Sequence, residues 1–162
     1  MTKLIIALVI VVVLSVGAIY MAPAVIFTMM PDCTSQTTFI TVDKNKTIVS
    51  RGQWYLQTFT EKSLGSYHGQ LLYYEAGTTK IRNVSFSFET ENRIIGRAIR
   101  TTTRSFATNF DNTASHDEIV RYVDNATKKD HVGFHKIIVI NRAFYASGLP
   151  NGLPRGVCNQ IQ

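Results

Sequence analysis

Four histidines are the side chains of this sequence whose charge responds most directly to their surroundings. Imidazole titrates between pH 5 and 8, so each histidine could sense acidity in a compartment that follows the external pH. The alternative is that all four are solvent-exposed histidines without a regulatory role. The candidate pH-sensing residues are His68, His116, His131 and His135.

Metal and enzyme chemistry find little support in the residue pattern. His131 and His135 could supply two metal ligands, but a zinc site needs a third and usually a fourth, and no obvious cluster supplies them. The sequence contains no G-x-S-x-G, S-x-x-K or H-E-x-x-H motif and no phosphate-binding glycine loop. We therefore expect no catalytic residue, no metal and no cofactor, and we expect that the protein is not an enzyme.

Two cysteines stand near the two ends of the polar part of the chain. Cys33 follows the apolar N-terminal segment, and Cys158 lies close to the last residue. An even cysteine count in an oxidising compartment predicts a disulfide bond between them. Closing so long a loop would stabilise the fold by about 5 kcal/mol in the chain-entropy model. The alternative is two thiols that never meet.

The N-terminal segment determines the compartment. Leu4 to Ala22 contains no charged residue, and as a helix it spans the hydrocarbon layer of about 30 Å. Two other interpretations are a cleaved signal peptide, for which Ala22-Pro23-Ala24 resembles a cleavage site, and a buried helix of a soluble protein. We favour an uncleaved anchor, since apolar residues continue to Met30. The predicted organisation is a cytoplasmic tail at 1–3, a transmembrane anchor at 4–30 and a periplasmic domain at 31–162.

Charge gives the orientation and the class of partner. A tail of three residues with one lysine stays in the cytoplasm, so the domain crosses a bacterial inner membrane once and is periplasmic. The formal net charge is +6. Because an exported domain does not meet the chromosome, we expect no direct nucleic-acid binding. The charge instead favours acidic partners or the anionic membrane surface.

The polar part of the chain is predicted to be mainly β. Val84 to Glu89 alternates strictly between apolar and polar residues, and three other runs are rich in aromatic and β-branched residues. Turn signals at Leu64-Gly65-Ser66 and Ala76-Gly77-Thr78 separate the runs. Short strands at such intervals predict a small antiparallel β-barrel. The three other runs are Gln53–Glu61, Gln70–Glu75 and Phe134–Asn141.

One helix and one loop complete the prediction. Ser115-His116-Asp117-Glu118 matches a capping box, so we expect a short helix from about His116 to Asn125. The segment from Leu149 to Gly156 contains two prolines and two glycines and is predicted to be a loop.

Four arginines recur at spacings of four, three and four residues. On a helix they would form one basic stripe suited to phosphate or an acidic partner. Neighbouring isoleucines and threonines favour a strand, which would place the first two arginines on one face and the last two on the other. We therefore expect a solvated surface formed by Arg93, Arg97, Arg100 and Arg104.

The layout resembles a family of small membrane proteins encoded beside ToxR-like transcription activators, which includes ToxS, VtrC and the FidL-like proteins. The resemblance covers the whole chain as architecture. The start MTKLIIALVIVVVL and the placement of Cys33 and Cys158 are most similar to the PsaF/MyfF type, which accompanies the fimbrial activators PsaE and MyfE. No functional residue is transferred from the family.

The resemblance implies a co-regulator with a lipocalin-like barrel that a partner completes in part. Its partner would be the periplasmic part of a membrane-bound ToxR-like (PsaE/MyfE-type) activator, which it would stabilise against proteolysis. Together they would transmit acid pH or a small amphipathic ligand to fimbrial or virulence genes. Two rival hypotheses are a fimbrial assembly or structural envelope protein, and a ligand-binding module that acts alone.

Overall fold

The computed structural model describes residues 2–28, 32–43, 46–58, 61–75, 77–95, 98–140, 143–148 and 154–160. The structure describes side chains for residues 3–21 and for the described ranges between residues 32 and 135, except residue 126. Beyond residue 135 it describes the backbone only. These residues form one apolar helix followed by a β-barrel that carries a second, short helix.

The first helix, α1, spans Thr2–Thr28 and runs through Pro23. The window Lys3–Met21 has a mean hydropathy of 3.0 and makes no buried contact with the rest of the chain. An apolar helix of this length is typical of a membrane anchor or of a signal sequence. Its side chains from Leu4 to Met21 are exposed.

Eight strands follow, each paired antiparallel with the next along the chain, and β1 pairs with β8 to close the barrel. This confirms the predicted mainly β fold and the antiparallel barrel. Each strand connects to its neighbour by a short segment except β5 and β6, between which α2 is inserted. The strands are β1 (Cys33–Asp43), β2 (Lys46–Thr58), β3 (Lys62–Glu75), β4 (Thr78–Ile95), β5 (Ala98–Thr108), β6 (Val132–Ile140), β7 (Ala143–Gly148) and β8 (Pro154–Gln160).

The turn predicted at Ala76-Gly77-Thr78 lies where β3 gives way to β4, and Gly77 has a φ of +82°. Glycine adopts this left-handed conformation without steric cost. The turn predicted at Leu64-Gly65-Ser66 is wrong, because Gly65 lies inside β3 opposite Phe88. A Cβ atom at Gly65 would collide with the Phe88 ring, so this glycine makes room for an aromatic side chain.

The core of the described half of the barrel is aromatic. Trp54 on β2 lies 4.8 Å from the Tyr67 ring on β3, and Tyr67 stacks on Phe86 of β4 at 5.4 Å. Phe88 and Phe106 extend the cluster to β5. Tyr67 and Phe86 are fully buried, and burial of such large rings is the main stabilising contribution to this part of the barrel.

The second helix, α2, spans His116–Tyr122 and packs on this core through Ile119, which is fully buried. Ser115 and Glu118 form the predicted capping box. The predicted extension to Asn125 is wrong, since Val123 caps the helix and a 3-10 turn, Asn125–Thr127, follows. The predicted C-terminal loop is also too long, because β8 begins at Pro154, where pairing with β7 overrides the local turn signals.

Candidate functional site

The edge of β1 is one part of the barrel where, among the described residues, backbone groups lack a strand partner. Along its whole length β1 pairs with β2, but β8 pairs only with its first two residues, Cys33 and Thr34. From Ser35 to Asp43, the edge of β1 that does not face β2 has no strand partner among the residues that the structure describes. Within the described residues, the pairing that closes the barrel thus involves only the first two residues of β1.

The same stretch of β1 carries exposed apolar side chains. Ile40 is 67% exposed and Val42 is 73% exposed, both on the outer face, whereas Phe39 points inward and is still 40% exposed. Thr37, also on the inward face, accepts a 3.1 Å hydrogen bond from the Trp54 indole nitrogen. An open strand edge with exposed apolar residues is a template for β-strand addition.

A polar groove lies beside this edge, on the outer face of β1, β2 and β3. Its volume is about 340 Å³, and no acidic side chain lines it. Gly52 and Gly69 lie directly opposite each other at its floor. The polar side chains around them are Gln36, Thr38, Arg51, Gln53, His68 and Gln70.

His68 is tied to the segment that leads into α2. Its Nδ1 lies 3.0 Å from the hydroxyl of Ser85, which is 1% exposed, and the Asn109 amide donates a 2.9 Å bond to that hydroxyl. Since Ser85 Oγ accepts from Asn109, its own hydrogen can be donated to a neutral His68. Which of the two groups donates in the His68–Ser85 bond depends on the tautomer of the ring.

The other predicted sensor histidines lie apart from His68. His116 begins α2 and meets the Phe106 ring edge-on at 4.6 Å. His131 accepts a backbone bond from Thr103, and the His135 ring on β6 lies 3.1 Å from the Thr101 hydroxyl on β5. The four residues therefore do not form one cluster. Within the described ranges, no group of three or more His, Cys, Asp or Glu residues could hold a metal ion.

A polar cluster joins α2 to the barrel wall. The Tyr73 hydroxyl donates a 2.6 Å bond to Glu118, and burial together with this bond raises the pKa of Tyr73. Burial raises the pKa of the Glu118 carboxyl, but hydrogen bonds from Tyr73 and Ser115 outweigh it, so the pKa lies below its ordinary value. The positive charge of Arg82 lowers the Glu118 pKa further. The Nε atom of Arg82 is buried and has no hydrogen-bond partner among the described residues.

The predicted separation of the arginines onto two faces is wrong. Arg93 and Arg100 are direct partners across the β4–β5 pair, so they lie on the same face. The reason is that the segment is a hairpin of two strands instead of one continuous strand. Glu91 bonds both Arg93 and Arg104, and hydrogen bonds from Arg104 and then Arg93 lower the pKa of its carboxyl. Arg97 lies outside the described residues.

Cys33 is buried and disulfide-bonded. The chain contains one other cysteine, Cys158, whose side chain lies outside the described part. The backbone of β8 carries Cys158 and pairs with β1 two residues later, at Gln160 opposite Cys33. The Cys33–Cys158 bond stays a prediction that this strand order favours.

The sequence, together with the family resemblance, predicts strand addition to an exposed edge of an incomplete barrel, but it does not place that edge on β1. Only the strand itself has a local signal, because Thr37 to Val42 contains only threonine, phenylalanine, isoleucine and valine, which all favour strands. Comparison of the sequence with models of known protein families finds no match, and comparison with curated proteins finds no relative. Function must therefore be argued from the barrel and its edge.

Proposed function

We propose that the protein is an inner-membrane-anchored periplasmic co-regulator that binds and stabilises a ToxR-like membrane transcription activator. The observation that carries the proposal is the edge of β1 from Ser35 to Asp43, which has no strand partner among the described residues, on a barrel that follows an apolar helix. A regulatory partner anchored in the same membrane would be held at high effective concentration beside this edge.

The anchor supports the proposal by restricting where the barrel can be. Lys3–Met21 is long and apolar enough to cross a bilayer. A barrel held at the periplasmic surface can meet the periplasmic part of a single-pass activator without diffusing through the compartment.

Strand addition supplies the binding mode. A strand of the activator would pair with the edge of β1 that does not face β2. Main-chain hydrogen bonds would then supply affinity, and side-chain contacts would supply specificity. Ile40 and Val42 are the apolar side chains that such a strand would cover. Pairing with β1 would also bury that strand of the activator and so protect it from proteases. This protection is how the protein would stabilise the activator.

The signal in this proposal is acid pH or a small amphipathic ligand. His68 supports the pH hypothesis, because its bond to Ser85 depends on the protonation state of Nδ1. Ser85 in turn holds the segment that leads to α2, so a change at His68 can reach the barrel core.

The experiment is deletion and complementation in cells that encode a neighbouring winged-helix activator with one membrane span. Deletion of the gene should lower the activator's level and its promoter output, and the wild-type gene should restore both. The variant Ile40→Lys places a charge on the edge and should fail to restore them. Tyr74→Lys is the matched control, since Tyr74 is 43% exposed on β3, which is paired on both sides at this position. Unchanged activator level and promoter output on deletion would refute the proposal.

A further inference from the structure

The tip of the β4–β5 hairpin lies at the same end of the barrel as the start of β1. The row of paired residues that begins at Cys33 crosses β2 and β3 and reaches Phe88 on β4. Ile95 lies seven residues beyond Phe88, or about 23 Å at 3.3 Å per residue. Strand tilt in a barrel shortens this projection without reversing its direction. The tip therefore extends past Cys33, away from the α2 end.

The covalent chain holds this end of the barrel close to the membrane helix. Cys33 is five residues after Thr28, the last residue of α1, so the two are separated by at most about 18 Å. If α1 is the anchor, the barrel end that carries Cys33 lies near the lipid headgroups. The hairpin tip projects further in the same direction and can reach them.

The outer face of the tip is both basic and apolar. Arg93 and Arg100 lie directly opposite each other, and Ile95 follows on the same face with 51% of its surface exposed. The Arg93 side chain is 67% exposed. Like charges directly opposite on a strand pair destabilise it, because their Cβ atoms are only about 4.5–5.5 Å apart. A negatively charged group bound beside Arg93 and Arg100 would relieve this repulsion.

Acidic groups of the chain supply only part of that counter-charge. Glu91 is shared between Arg93 and Arg104, and Asp130 lies 3.9 Å from Arg104. Glu89 pairs with Lys62 at 3.9 Å. Arg100 makes no ion pair within the described residues. The outer face of the hairpin therefore keeps a positive excess next to an exposed isoleucine.

We propose that this hairpin tip is a second membrane contact, in which Arg93 and Arg100 bind the phosphates of anionic phospholipids and Ile95 enters the interface. The inference rests on the anchoring of α1 within the proposed function, and it is independent of the partner. Arginine binds phosphate through two parallel hydrogen bonds, and an isoleucine at headgroup depth adds apolar burial. The contact would fix the tilt of the barrel on the membrane and so the direction in which β1 faces.

The test uses the full chain in nanodiscs of phosphatidylcholine with or without phosphatidylglycerol. Ile95→Trp and Ile81→Trp place a reporter at the two ends of β4 at similar exposure, and Trp54 contributes the same background to both. Lipids with brominated acyl chains should quench Ile95→Trp strongly in discs with phosphatidylglycerol and leave Ile81→Trp unquenched. Adding Arg93→Gln and Arg100→Gln to Ile95→Trp should abolish the extra quenching. Free inorganic phosphate should not compete.

Equal quenching of the two tryptophans in discs that contain the chain would overturn the hairpin contact and leave the partner hypothesis untouched. Competition by free phosphate would overturn the lipid as the anion's source. A full chain that does not enter discs at all would refute the anchor, and the inference would fall with it. Loss of partner binding in cells leaves the quenching result unaffected.

Discussion

The hydroxyl of Tyr73 donates a 2.6 Å hydrogen bond to Oε1 of Glu118, and this bond joins the third strand of the barrel to the helix inserted before β6. The two residues are far apart in the chain, so the bond forms only when the barrel and α2 have docked. Ile119, next to Glu118, is fully buried in the same core. Helix position and barrel wall are therefore linked by a polar contact as well as by apolar packing.

Removing the Tyr73 hydroxyl should weaken that link. We expect Tyr73→Phe to lower the free energy of unfolding by about 1.5–3 kcal/mol, the usual contribution of a hydrogen bond to a charged group. Urea unfolding of the full chain in detergent, followed by Trp54 fluorescence, measures it. Tyr74→Phe is the control, because Tyr74 is exposed on the neighbouring position and should change stability little. Equal effects of the two variants would contradict the structural role of the bond.

The pH dependence of stability should carry the signature of Glu118. Its folded pKa lies below the ordinary value of 4.5, so its stabilising contribution is present above about pH 4.5 and is lost as the pH falls further. Glu118→Gln should be less stable at neutral pH and should lose less stability below pH 4.5. Thermal unfolding at a series of pH values tests this. A variant that keeps the wild-type acid slope would show that other carboxylates cause it.

Acid should loosen the segment between β5 and α2 through His68. If the His68–Ser85 bond is the pH sensor, we expect faster amide exchange at pH 5.5 than at pH 7.5, after correction for intrinsic rates, for Asn109, Thr113 and Ala114. These amides donate to the backbone of β4. Ser85→Ala should remove the difference between the two pH values.

In cells, His68→Gln alone should weaken the promoter's response to acid as much as replacement of all four histidines does. His131→Gln serves as the control, since His131 is distant from Ser85 along the sheet and contributes its backbone to β5. An unchanged acid response in the fourfold variant would exclude histidine sensing.

The predicted disulfide has its own direct test. Peptide mapping under non-reducing conditions should find Cys33 joined to Cys158. The double variant Cys33→Ser, Cys158→Ser should lose about 2–5 kcal/mol of stability, as is usual when a native disulfide is removed from a small secreted domain. Two free thiols in the native protein would contradict the prediction.

Local signals explain which parts of the fold could be predicted. Strict alternation at Val84 to Glu89 and the capping box at Ser115 gave the right element types, because both depend on near neighbours. Gly65 was misread as a turn, since the ring that needs its missing side chain belongs to a distant residue, Phe88. The open edge of β1 depends on where β8 stops pairing, and no local pattern contains that information.

The central claim is that β1 binds a membrane-bound activator, and site-specific photo-crosslinking in cells tests it most directly. A photo-reactive residue at position 40, on the edge strand, should crosslink to a single-pass winged-helix activator identified by mass spectrometry. The same residue at position 74, which is exposed on β3 and paired on both sides, should not. A crosslink to that activator at position 40 alone is the result that the account predicts. No such crosslink at position 40, or equal crosslinking at both positions, would contradict it.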